Sequence, residues 1–239
     1  AERRRQATLE HAAALRKRPL VLEREVLARE LGMCDDDVRD VLFERCRELR
    51  AFGRLDRDEV LDAERVHDLA AEAIGRGYAI VLAEHGLSGA VAVGRDNRPS
   101  GDALRDALVR GLTSTGLNVI DIGVVPTPLL YWALHNLPVV AGIQITGSHN
   151  PPEYNGLKLG LGKSTFHGEE IQELRRVVEK GEFATGQGSV RAHDIVTPYR
   201  AYVQGNLSLG KRKLKVVVDA GNGTGGVVAV PIFEALGIE

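Results

Sequence analysis

The sequence predicts a three-layer α/β/α domain on a mostly parallel, mixed sheet, preceded by a helical amino-terminal region. Three observations point there. Short apolar runs at residues 89–94, 117–122 and 139–146 are each bounded by glycine, proline or polar residues, as buried strands are. The segments between them carry apolar residues at helical spacing, and strands alternating with helices call for a sheet covered on both faces. Before residue 75 the pattern is helical throughout, with charges between the apolar positions.

The elements follow in order. Val26, Leu27, Leu31, Val38, Val41, Leu42 and Leu49 recur near helical spacing; Gly32 interrupts them, and Asp35 or Asp36 is a cap for the next helix. Residues 27–33 with Val38 also fit a helix-turn-helix core. Asp35, Asp36 and Asp37 would then open the recognition helix and face phosphates, so packing or oligomerisation is the expected role. A further helix over 62–74 buries Val66, Leu69, Ala70 and Ala73. After the strand at 89–94, Ser100 is placed to cap a helix that buries Leu104, Leu108 and Leu112 and ends at Gly116. The strand at 117–122 leads to Thr127 as a cap, with Pro128 at the favoured first helical position and Leu130 and Ala133 turned inward. The strand at 139–146 is followed by a short return strand at 155–161, read as antiparallel, and by a helix over 169–180. Residues 214–219 read as a strand, 221–226 as a glycine-rich turn, and a last helix begins near Val227. The expected division is 1–75, 76–208 and 209–239.

Composition narrows the class of function. At 239 residues the chain suffices for one large or two modest domains with a real core. A net charge of −2 argues against dependence on nucleic acid or an anionic membrane. Two cysteines, Cys34 and Cys46, both in a charged helical pattern, make neither a disulfide framework nor a metal-ligand spacing. The opening Ala-Glu-Arg-Arg-Arg has no apolar run behind it, which excludes a signal peptide, and no segment approaches a membrane span. A cytoplasmic protein is expected.

The most informative stretch is Thr146-Gly147-Ser148-His149-Asn150-Pro151-Pro152-Glu153-Tyr154-Asn155-Gly156-Leu157-Lys158. A buried strand delivers a serine at its end; Gly147 lets the backbone turn, and Pro151 and Pro152 stop any helix. A hydroxyl on a stiff turn, with histidine beside it and lysine nearby, is the chemistry of a covalent nucleophile or phosphate carrier. Serine, asparagine and proline are also common turn formers, so this reading alone leaves a plain loop open.

The longer string resembles the phosphoserine loop of the α-D-phosphohexomutases, especially the phosphomannomutase/phosphoglucomutase branch. Three further blocks are similar to that family in the same order: residues 91–100 with Gly94-Arg95-Asp96-Asn97-Arg98-Pro99-Ser100, Val125-Pro126-Thr127-Pro128, and residues 215–223 with Asp219-Ala220-Gly221-Asn222-Gly223. The resemblance covers roughly 75–239. It implies that residues 76–208 are the first domain of a phosphohexomutase and 209–239 the start of its second. It implies phosphorylation of Ser148, a Mg2+ held partly by that phosphate, hexose phosphates as substrates and a hexose 1,6-bisphosphate intermediate. Lys158 is then a point charge for the transferring oxygens, and His149 either bonds the phosphate or braces the loop. Arg95 and Arg98 add positive potential or serve as ion-paired scaffold, with scaffold favoured; Asn150, Asn155 and Gly156 shape the turn.

Departures from the family pattern carry their own expectations. Where relatives have Tyr-Asp-Ile-Arg-Gly, residues 49–55 hold Arg50 and Arg54 in no matching frame. The family's Asp-Gly-Asp-x-Asp-Arg metal loop and its sugar-recognition loop would lie beyond Glu239. Little turnover by the chain alone is therefore expected, with a complementing carboxy-terminal fragment or a homo-oligomer as possible partners. Glucose and mannose are not distinguished. Two other classes stay open: a non-catalytic sugar-phosphate sensor, and a dinucleotide-binding enzyme, because Gly221-Asn222-Gly223-Thr224-Gly225-Gly226 fits Gly-x-Gly-x-x-Gly.

Overall fold

The structure, a computed structural model, describes residues 63–238 apart from 153. The helices expected over 1–62, with the helix-turn-helix pattern, Asp35 to Asp37, both cysteines, Arg50 and Arg54, lie outside the described residues, as does the expected burial of Val66.

Twelve elements are described: α1 (Ala63–Glu84), β1 (Ala90–Arg95), α2 (Gly101–Ser114), β2 (Val119–Val124), α3 (Thr127–Asn136), β3 (Val139–Ile145), β4 (Leu157–Leu161), β5 (Ser164–Thr165), α4 (Glu169–Lys180), β6 (Val190–Ala192), α5 (Val196–Asn206) and α6 (Gly225–Ala235). The six strands form one sheet in the order β5-β4-β3-β1-β2-β6. β1, β2, β3 and β6 are parallel, while β4 and β5 are antiparallel to their neighbours. This is the expected mixed, mostly parallel sheet.

Alternation along the strands feeds two cores. Val91, Val93, Val119, Ala141, Ile143 and Ile145 face Tyr78, Leu82, Leu108, Leu112, Leu174 and Val178 of α1, α2 and α4. Ala92, Ile120 and Ile122 face the other way, towards Leu129, Leu130 and Ala133 of α3, Ile195, and Val228 and Ile232 of α6. Each fully buried leucine or isoleucine contributes about 1.5–3 kcal/mol through removal of apolar surface from water. The two-residue period of a strand therefore decides which helix layer each residue meets.

α1 runs well past its expected end at Ile74 and so passes through the expected boundary at 75. Ala70 is buried as predicted, whereas Leu69 and Ala73 are half-buried. The helix continues because Gly75 and Gly77 serve close packing here and end nothing. A Cβ on Gly75 would lie 2.5 Å from the Leu108 carbonyl oxygen, and one on Gly111 would overlap the Glu72 carbonyl oxygen. Such reciprocal contacts bring α1 and α2 nearly backbone to backbone. Tyr78, fully buried, donates its hydroxyl hydrogen to the Gly160 carbonyl and packs edge-on against Phe166 at 5.8 Å. Burial pushes its phenol pKa up, so it stays neutral.

α4 shows how local chemistry sets helix ends. Glu169 and Glu170 lie in its first turn and Lys180 in its last, each complementing the helix dipole. Glu170 accepts the His167 N–H at 2.7 Å, and Gly181 closes the helix at φ 67° with its N–H on Val177 O.

Four expectations need correction. Ser100 makes no side-chain cap on α2; its hydroxyl is bonded elsewhere, as described below. Thr127 is already helical, and Pro126 occupies the cap position of α3. Residues 214–219 form no strand; Val217 is 97% exposed and no ladder reaches it. The run Val216-Val217-Val218 is suited to burial in a sheet, but no neighbouring strand among the described residues offers it hydrogen bonds. Finally, β6 and α5 occupy a stretch in which no element is expected from the sequence. β6 is three exposed residues, and α5 buries no side chain fully, so neither carries a strong apolar period.

Candidate active site

β1, β2 and β3 run parallel, with one register shift in each pairing with β1, and the loops after Arg95, Val124 and Ile145 gather at one edge of the sheet. β3 lies beside β1 although β2 intervenes in sequence. Such a crossover opens a crevice at the carboxyl ends of the strands, the usual place for a site in an open α/β sheet. Main-chain bonds lock these ends together: Asp96 N–H to Ile145 O at 2.9 Å and Val125 N–H to Arg95 O at 2.9 Å. Fully buried Gln144 adds a side-chain bond from Nε2 to Val125 O at 2.8 Å.

The segment from Thr146 to Gly156 leaves this edge as a closed loop. Its base is Thr146 N–H to Gly156 O at 2.9 Å; inside it, Asn150 N–H bonds Gly147 O at 3.0 Å and Tyr154 N–H bonds Pro151 O at 3.1 Å. The Thr146 hydroxyl accepts the Ser148 N–H at 2.9 Å. Ser148 has φ 55°, one of two non-glycine residues with positive φ among those described. That conformation costs about 1–2 kcal/mol for an L-residue, so the surrounding bonds must hold it. Ser148 is exposed, and so are His149 and Asn150. The hydroxyl is open to solvent at the tip of a braced turn.

Lys158 lies on β4 opposite Gln144 in the antiparallel ladder with β3, and it is exposed. Leu157, Leu159 and Leu161 pack into the α1, α2 and α4 core, so the pleat turns Lys158 to the face that carries α3. The expected return strand exists and is antiparallel, beginning at Leu157. His149 is exposed and makes no hydrogen bond with any other described residue.

The two arginines are spent on structure. Arg95 pairs with Asp102 at 2.5 Å. Arg98 pairs with Asp96 at 3.0 Å and is only 10% exposed. Its guanidinium also donates to the carbonyl oxygens of Ser148 (3.3 Å), Asn150 (2.8 Å) and Pro151. The electrostatic-support alternative is set aside for Arg98, whose hydrogens face backbone carbonyls. Ser100 reaches the same loop from the other side, its Oγ lying 2.6 Å from Oδ1 of buried Asn155. Sequence reasoning read residues 94–100 as a strand and turn and missed that they are the loop's foundation. The signal is absent locally, because these contacts join positions 50 or more apart in the chain.

The glycine-rich turn is tied to the same place. Asn97 Nδ2 donates to the Asn222 carbonyl at 2.7 Å, and Asn222 is the second residue with positive φ, at 61°. Asp219 Oδ1 accepts the Gly221 N–H at 2.8 Å, closing the turn before α6. A dinucleotide fingerprint needs a strand directly before it, and residues 214–219 do not form one.

Among the described residues no group of three or more His, Cys, Asp or Glu stands close enough to hold a metal ion. No helix among them is long and apolar enough to cross a membrane.

Comparison with known proteins agrees with this geometry. The family model described as phosphoglucomutase/phosphomannomutase, alpha/beta/alpha domain I, matches residues 50–185, beginning upstream of the resemblance read from the sequence. The chain is 47% identical over 174 residues to a phosphoglucomutase of Neisseria gonorrhoeae, covering 72% of this chain and 37% of that protein. It is 47% identical over 147 residues to a phosphomannomutase/phosphoglucomutase of Pseudomonas aeruginosa, covering 62% and 32%. A crystal structure of a phosphoglucomutase/phosphomannomutase family protein from Burkholderia thailandensis superposes with a TM-score of 0.68 at 39% identity, over 77% of this chain and 40% of that one. The chain thus spans between 32% and 40% of the length of these relatives. With the family model covering more than half of its residues and the sheet order, layers and serine loop in place, this chain belongs to the phosphoglucomutase/phosphomannomutase family and carries its α/β/α domain I.

Proposed function

We propose that the chain is the phosphoserine-bearing part of a phosphohexomutase that interconverts hexose 1-phosphates and hexose 6-phosphates. The carrying observation is the exposed Ser148 hydroxyl on a left-handed, multiply braced turn at the carboxyl edge of the sheet. In the forward half-reaction a hydroxyl of the bound hexose phosphate attacks the phosphorus on Ser148. The P–Oγ bond breaks, the hexose hydroxyl loses its proton, and Ser148 regains one. The hexose 1,6-bisphosphate so formed returns its other phosphoryl group to Ser148, and the isomeric monophosphate leaves.

Phosphoryl transfer depends mainly on positioning and charge neutralisation. In this reading Ser148 is the carrier and Lys158 supplies positive charge from the neighbouring strand. His149, exposed beside the carrier, hydrogen-bonds the phosphate. Mg2+ is the expected counter-ion. The described residues do not form a cation site by themselves, and a phosphate on Ser148 would be their one ligand. A complementing carboxy-terminal fragment or a homo-oligomer, as the source of the remaining coordination and the sugar specificity, is part of the proposal. Work on soluble hexose phosphates suits a cytoplasmic location.

Incubation with glucose 1,6-bisphosphate and Mg2+, followed by intact-mass and peptide mass spectrometry, tests this reading. One added phosphoryl group is expected, on the peptide containing Ser148, and none in Ser148→Ala. An unmodified chain that nevertheless binds hexose phosphates would instead favour the sensor.

A further inference from the structure

We infer that Arg98, clamped by Asp96, is a positioning residue that fixes the Ser148 backbone in the conformation from which its hydroxyl projects. The consequence for phosphoryl transfer rests on the phosphoserine reading above; the bracing itself does not.

Three observations carry the inference. The guanidinium lies inside the loop's curve and donates to the carbonyls of Ser148, Asn150 and Pro151. Those three acceptors flank the one bend in which an L-residue sits at φ 55°. The guanidinium is itself oriented, because Asp96 accepts from its Nε at 3.0 Å through Oδ2 and from the Arg98 N–H at 3.1 Å through Oδ1. Finally, the loop closes on the guanidinium at a glycine. A Cβ on Gly147 would stand 2.7 Å from Arg98 Nε and 2.5 Å from the Tyr154 carbonyl oxygen, so only glycine fits between them.

Arginine suits this task and lysine does not. A planar fork has enough donors in fixed directions to serve a carboxylate and three carbonyls at once, whereas an ammonium is a point charge on a flexible stem. If Arg98 worked instead by attracting phosphate, Arg98→Lys would retain most of its effect. The two roles therefore make opposite predictions for one conservative change.

The experiment compares the wild-type chain with Arg98→Lys and Arg98→Ala by amide exchange and by the rate of Ser148 phosphorylation from glucose 1,6-bisphosphate. Both variants are expected to exchange the Asn150 amide faster, with exchange in β1 and β3 unchanged, and to load phosphate roughly 10- to 100-fold more slowly. Methylguanidinium is expected to restore loading in Arg98→Ala, since it returns the donors without the side chain. If Arg98→Ala fails to fold, Arg98→Lys decides alone. Unchanged Asn150 exchange in Arg98→Lys, or loading at the wild-type rate, overturns the inference. A wild-type chain that never loads phosphate overturns the phosphoserine reading and leaves the exchange comparison to judge the bracing.

Discussion

Asp194 lies two residues ahead of α5, and its Oδ1 accepts the N–H groups of Val196 at 3.0 Å and Thr197 at 3.2 Å. The Thr197 hydroxyl first, then the backbone N–H groups, hold its carboxyl below the ordinary carboxylate range. A depressed folded-state pKa stabilises the protein fully above the unfolded value of about 3.9. That contribution is lost as pH falls through the lower folded value. The Thr197 amide resonance should therefore titrate with a midpoint below about 3.9, and Asp194→Ala should cost about 1 kcal/mol at neutral pH. A midpoint at or above that value would contradict the role given to these bonds. At this same scale the sequence pointed to Ser148 and its neighbours, since a serine between glycine and histidine after an apolar run has a local signature. It marked Arg98 as scaffold and Asn155 as a turn-shaping residue but not their partners, because hydrogen bonds between positions 50 or more residues apart leave no pattern in neighbouring letters.

At the scale of elements, the α1–α2 contact is the most sensitive to a single added methyl group. Gly111 faces the Glu72 carbonyl and Gly75 the Leu108 carbonyl, so the helices can approach only where both positions lack a Cβ. Gly111→Ala should destabilise the domain by about 1–3 kcal/mol, because backbone must move to admit the methyl group. Urea unfolding measures this; a midpoint equal to wild type would show that the helices part freely. Helix propensity alone ranks alanine above glycine, so the expected loss runs against the local rule. The strands β1, β2 and β3 were legible from their apolar runs to within two residues, as two-sided burial demands. α5 was not, because its two aromatics, Tyr199 and Tyr202, meet Trp132 on α3 at 5.8 and 6.2 Å without making a continuous apolar face.

At the scale of the molecule, the two helix layers cover both faces of the sheet, yet among the described residues a valine-rich region is exposed. Val216, Val217 and Val218 are 41%, 97% and 38% exposed, and Val227 and Val230 of α6 are 44% and 41% exposed. α6 buries only Val228 and Ile232. A valine-rich segment without strand partners is a template for pairing. On the phosphohexomutase reading proposed above, a complementing carboxy-terminal fragment is expected to slow amide exchange over residues 214–219 and to raise turnover of glucose 1-phosphate. The chain alone, with Mg2+ and glucose 1,6-bisphosphate, is expected to turn over slowly. Rapid formation of glucose 6-phosphate by the chain alone would refute this.

The sequence by itself determined the α/β/α class, the three central strands and the serine turn, because periodic burial and turn chemistry are written in adjacent residues. Only the tertiary structure decided that α1 runs to Glu84, that residues 214–219 form no strand, and that the arginine of the first turn braces the serine loop. Each of those outcomes depends on which distant backbone groups come within hydrogen-bonding or van der Waals reach, and that is settled only when the sheet brings its loops to one edge.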